Sequence, residues 1–220
     1  MKIESYEPFH IGSKFIYYVD KGYVIGKLYD YYERNKKTGF NLNKDVLKGD
    51  KLLSPFLDII TNPEEKLLIQ MNLSANALNV IGDKPEKVIN LFIELMGILP
   101  DLGFELDSTF TFYEILTNII LLLEPEDKRP NEIFHKFSSN LFTKLDDIPD
   151  LKVNHIKFSS ELIPKENDER FNLEIFPNQT SPDKRIILKI LKRVKDYNEL
   201  IPFQKRLEKL IKNIYAQMVK

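Results

Sequence analysis

From Lys87 to Leu99 only Lys87, Asn90, Glu94 and Gly97 interrupt a run of apolar residues. They fall at i, i+3, i+7 and i+10, which on a helix is one narrow stripe. Upstream, Asp83 is placed to cap and Glu86 follows three residues later, so both help satisfy the free N–H groups of a first turn. Pro100 is expected to stop the helix. A helix over 84–99 that is apolar on nearly every side needs partners on nearly every side. It is either the central helix of a core or one shared with a second subunit.

The sequence around it supplies strands. Residues 108–123 read as one long strand with a helical alternative for the second half, and 170–176 and 184–193 alternate cleanly, with Phe171, Leu173, Ile175 and Ile186, Leu188, Ile190 inward. Residues 151–163 read as a bulged strand, because Val153 and Ile156/Phe158 fall out of phase. Ile133, Phe134, Phe137, Leu141, Phe142 and Leu145 recur at helical spacing, and so do Phe203, Leu207, Leu210, Ile211, Ile214 and Met218 in a long final helix. From residue 108 the order is therefore strand, helix, three strands, long helix. The class is α+β, an antiparallel sheet with helices packed on one face. Helix-grip folds and TATA-binding-protein-like halves share this order; the chain shows no motif of either, so the likeness is topological and carries no function.

The N-terminal part is expected to form a lobe of its own, residues 1–104, beside a C-terminal lobe, 105–220, the two closely packed. In it, residues 15–19 and 23–29 around Asp20-Lys21-Gly22 read as a tyrosine-rich hairpin. Seven of the ten tyrosines lie within the first 32 residues, as cross-strand packing or as an aromatic surface for a ligand, a base or a second subunit. Residues 34–50 read as a surface loop, 55–61 as a short helix, and 66–76 as a half-buried strand whose polar side, Gln70, Asn72, Ser74 and Asn76, is all amide or hydroxyl.

The net charge of −1 hides a division. Residues 184–220 hold eleven Lys and Arg against three acids, a net +8, which leaves −9 on the rest. Arg185, Lys189 and Arg193 point outward from the strand 184–193, four residues or about 13 Å apart. Lys205, Arg206 and Lys209 lie on the final helix opposite its apolar stripe. These six are the candidate contacts for an anion or a nucleic-acid backbone, which needs only cations at suitable spacing. The alternative is a solvated helix face together with strand cations that blunt an exposed sheet edge.

Other chemistries find no footing. There is no cysteine, hence no disulfide, thiolate metal site or thiol nucleophile. His10, His135 and His155 are not at metal-ligand spacing, and no GxSxG, GxxxxGK[ST] or GxGxxG occurs. The acidic clusters at 124–127, 146–147 and 166–169 fall in linkers. No apolar run exceeds Ile119–Leu123, so no membrane span is expected. The sequence leads to a non-enzymatic, cytoplasmic, cofactor-free protein acting through a surface, with itself as the first-choice partner. Nucleic acid bound on 184–220 and a small molecule held between the sheet and the long helix are the alternatives.

Overall fold

Alternation along each strand sets one side of the sheet against helices and the other side away from them. The computed structural model describes residues 1–44, 55–125, 127–134, 155–161, 165 and 168–219. They form β1 (Lys2–Phe15), α1 (Lys21–Asn35), β2 (Asn41–Leu42), β3 (Phe56–Asn62), β4 (Leu67–Asn72), β5 (Ala77–Gly82), α2 (Pro85–Asp101), the single turn α3 (Leu106–Thr109), β6 (Phe110–Leu122), β7 (Ile156–Ser159), β8 (Arg170–Pro177), β9 (Arg185–Val194) and α4 (Leu200–Met218). All nine strands share one antiparallel sheet in the order β2-β3-β4-β5-β1-β6-β9-β8-β7. The α+β class read from the sequence is the observed one.

Leaving β2 aside, that order is palindromic about the β1–β6 pair: β5, β4 and β3 succeed one another outward from β1 as β9, β8 and β7 do from β6. Each half also closes with a long helix, α2 or α4. The halves repeat as backbone, yet they share one sheet and one continuous core, in which Phe9 and Ile11 join Ile115, Ile119 and Leu188. The long β1–β6 pairing crosses the boundary at 104/105, with register shifts at Ile3/Ser5, Tyr6/Phe9 and Lys14/Phe15 that let a strand of this length bend.

α2 occupies the place its composition demands. Val88, Phe92, Leu95, Met96 and Leu99 are buried, and it contacts β1, β5 and α4. Asn90, Ile93 and Gly97 form its exposed stripe. The helix therefore finds its partners within one chain. Pro100 sits in its last turn and does not exclude Asp101.

Several N-terminal expectations are corrected. The second arm of the tyrosine hairpin is the helix α1. Asp20 Oδ1 accepts from the Tyr23 N–H as a helix cap, and Val24, Ile25, Leu28, Tyr29 and Tyr32 are buried at helical spacing, so the 3.6-residue period outweighs the β-propensity of tyrosine. The expected helix 55–61 is the strand β3, where a bulge between Asp58 and Ile60 lets the neighbours Ile59 and Ile60 both be buried. The expected strand 66–76 is β4 followed by a reversal into β5. Asn72 Oδ1 accepts from the Ala75 N–H, and Asn76 takes the left-handed conformation (φ 53°) that the turn requires. Ser74 and Asn76 are turn residues, not part of a polar strand face. Of the expected strand 151–163 the described residues hold β7, residues 151–154 and 162–163 lying outside them, and a helical turn at 130–134 buries Ile133 and Phe134. Residues 135–145 of the expected helix, His135 and the acidic pair 146–147 lie outside the described residues.

The end of α4 is fastened by Asp127. Its carboxylate accepts from the Tyr215 hydroxyl (2.8 Å) and bridges the N-terminal ammonium (2.6 Å). Burial works against this carboxylate, but the bonds from the ammonium and Tyr215 outweigh it and hold its pKa below the ordinary value. A depressed carboxylate stabilises the fold above its unfolded pKa and loses that contribution as pH falls through the folded one. Asp127→Ala should therefore cost about 2 kcal/mol at pH 7, with the gap to wild type closing as urea midpoints are followed down into the acid range.

Candidate interaction surfaces

On β9 the even residues Ile186, Leu188 and Ile190 face the helices and are buried. Arg185, Lys189 and Arg193 thus stand on the opposite face, which is helix-free among the described residues, as the alternation predicts. β9 is not an edge strand. It lies between β6 and β8, so Glu114 of β6 and Glu174 of β8 reach Arg193 and Lys189, while Arg185 meets Glu4 of β1, one strand further on. Arg185 Nε donates to Glu4 Oε2 at 2.6 Å, and that bond holds the Glu4 pKa below its ordinary value. Lys189 shares Glu174 with Lys157 and His155, at 3.8, 3.2 and 3.4 Å. Burial alone would raise the Glu174 pKa; Lys157, Lys189 and His155 bring it below normal. Arg193 donates to Glu114 Oε2 at 2.6 Å with its guanidinium carbon 3.6 Å from the centroid of the Phe112 ring, and the residue is only 6% exposed.

Lys205, Arg206 and Lys209 are exposed on α4, on the other side of the sheet. Arg206 Nε donates back to the Pro202 carbonyl, and Lys205 borders a groove of about 500 Å³ with Tyr6, Lys84, Gln204 and Glu208. The six cations therefore form two sets separated by the thickness of the sheet, one of them matched by acids. Part of the charge division seen in the sequence closes inside the fold, at Arg185, Lys189 and Arg193.

Three further features are not legible in composition or spacing. The first is a polar cluster at the centre of the helix-free face. A Cβ added to Gly12 would lie 3.0 Å from Asn79 Oδ1 and 3.2 Å from His10 Nε2. Both atoms are buried, and among the described residues neither reaches a partner at normal hydrogen-bond length. Burial pushes the His10 pKa down, against the opposing pull of Asn79 and Glu114, so the ring is neutral at pH 7. Glycine is what keeps room for both groups here.

The second is an apolar groove of about 480 Å³ between β7–β8 and α4, lined by Phe158, Leu173, Ile175, Ile214 and Met218 with Asn213 and Gln217 at its rim. It lies over the outer strands of its half as α1 lies over β2 and β3 in the other. The third is the turn from β1 into α1, where Tyr17, Tyr18 and Tyr23 are 93%, 78% and 55% exposed.

Among the described residues no three His, Asp or Glu side chains converge as a metal site, and no helix is long and apolar enough to cross a membrane. No family model, no curated protein and no solved structure matches the chain. Any functional reading must stand on these surfaces alone.

Proposed function

We propose that this is a non-enzymatic interaction protein that works through its surface, with a second copy of itself as partner. The observation that carries the reading is the exposed tyrosine turn. Tyrosine combines a large apolar ring with a polar tip, and such residues concentrate where proteins meet. Two motives that the sequence offered for self-association are met within the chain, since α2 is buried on its own sheet and the strand cations Arg185, Lys189 and Arg193 meet acids of the same sheet. The third motive, the tyrosines, stays exposed at Tyr17, Tyr18 and Tyr23. The test is sedimentation velocity at tens of micromolar: a concentration-dependent shift to a dimer is expected, and a monomer throughout removes the reading.

A second reading, an apolar small molecule, draws support from the groove beside α4. Its volume and lining suit a ligand site held between sheet and helix. An environment-sensitive apolar dye is expected to bind wild type and to lose at least tenfold in affinity in Leu173→Asp, whose side chain lines the groove. Equal binding by both proteins, or by neither, ends this reading. The nucleic-acid reading has less behind it, because binding along phosphates draws on cations free of acid partners and the strand set is matched by Glu4, Glu174 and Glu114.

A further inference from the structure

The tyrosine turn has a shape and a charge pattern that fit one kind of partner. Its backbone is held from several sides: the Ile16 N–H donates to the Thr109 carbonyl, the Val19 N–H to the Ile16 carbonyl, and Asp20 caps α1. Below it Phe15 stacks on Phe110 with centroids 4.9 Å apart, and the Tyr23 ring meets Phe104 edge-on at 5.7 Å. Rings carried by a fixed turn lose little backbone entropy on binding, so more of their burial appears as affinity. The described residues contain six exposed large hydrophobic side chains, and the three most exposed of them are here. Between Tyr18 and Tyr23 stand Asp20 and Lys21, adjacent and opposite in sign.

Opposite signs side by side are what a two-fold contact needs, because each patch must complement itself. We infer that the Tyr17–Tyr23 turn pairs with the same turn of a second copy about a two-fold axis, the Tyr17 and Tyr18 rings packing against their counterparts and Asp20 meeting the other copy's Lys21. The inference rests on the self-association proposed above and names its surface. At about 200 Å² per ring, the exposed parts of three tyrosines on each of two copies amount to about 900 Å², below the usual range for stable complexes. The dimer is accordingly weak and reversible.

The chain's lack of cysteine makes the test direct. Tyr18→Cys introduces a single thiol that a two-fold contact brings beside its own copy, and Lys209→Cys, on exposed α4, is the control. Under mild oxidation at about 50 µM, the position-18 variant should form disulfide dimer at least ten times faster than the control. Tyr17→Ser/Tyr18→Ser, at positions whose exposure makes the change harmless to folding, should weaken the sedimenting dimer at least tenfold. If wild type dimerises while the serine variant dimerises equally well and position 18 cross-links no faster than position 209, this surface is wrong although self-association stands. If wild type is monomeric, both fail.

Discussion

Glu114→Ala is expected to destabilise the protein by about 3 kcal/mol, because it takes the carboxylate from a buried guanidinium. Arg193 donates through both Nε (3.0 Å) and Nη2 (2.6 Å) to Glu114 Oε2, with side-chain exposures of 7% and 21% for the two partners. The attraction across such a pair does little more than offset the desolvation of both ions, so keeping the pair contributes modestly while breaking it is expensive. Water reaching the more exposed Glu114 end keeps the loss near the lower limit for buried pairs. The double variant Glu114→Leu/Arg193→Met, apolar at both positions, should recover most of it. Urea denaturation of the three proteins decides the matter, and a loss below about 1 kcal/mol would mean that the pair is screened like a surface bridge. Arg193→Ala is consequently a poor probe of nucleic-acid binding, since it disturbs the fold. Arg185 and Lys189, which are far more exposed, are the positions for that test.

The same residues show what could be read before the structure. That Arg185, Lys189 and Arg193 share one face of a strand follows from a period of two, and the structure agrees. That Glu4, Glu174 and Glu114 lie beside them follows from strand order and register, which no local pattern encodes. A cation's side is local information; its partner is not. The elements divide in the same way. β8, β9 and α4 carry clean single-period patterns, and α2 is apolar nearly all round, so each was legible. The segment 21–35 combines tyrosines of strand propensity with helical spacing, and its burial against the sheet settles the conflict in favour of the period. Alternation suggested one strand over 66–76, where β4 ends at Asn72 and the chain reverses into β5, because the reversal at 73–76 depends on the side-chain bond of Asn72 and the left-handed Asn76.

The backbone repeat stayed hidden for a related reason. The two halves place their strands alike about β1 and β6, but the residues on corresponding strands solve different local problems. The helix-free side of β1 has His10, Gly12 and Lys14, with Gly12 close against Asn79 of β5. The same side of β6 has Glu114, Leu116 and Asn118 and faces the cations of β9. A common architecture needs only apolar residues on the helix-facing side of each strand, and many sequences satisfy that.

Phe92→Ala is the second large effect, about 4 kcal/mol for a fully buried phenylalanine that leaves a cavity behind it. Phe92, 1% exposed at the middle of α2, meets Tyr113 of β6 at 6.3 Å and Tyr197, in the turn before α4, at 6.1 Å, both edge-on. Tyr113 and Tyr197 meet each other at 5.6 Å, and Tyr113 continues to Phe110, which stacks on Phe15 of β1. The ring thus joins the central helix to the central strands and to the start of the last helix, so a cavity there cannot be closed by moving one element. Phe92→Leu, which keeps most of the volume, should cost less than about 1.5 kcal/mol. Ile93→Ala, one residue on and 37% exposed, should stay within about 1 kcal/mol of wild type. Burial holds the Tyr113 hydroxyl well above its ordinary pKa, with Asp107, Tyr197 and Asp196 adding to the shift. Opening a cavity beside that ring should lower it, so an ultraviolet titration of Phe92→Ala is expected to show one tyrosine ionising at lower pH than in wild type. A large stability loss with no change in the tyrosine titration would mean that the cavity has collapsed and the aromatic cluster has repacked without Phe92.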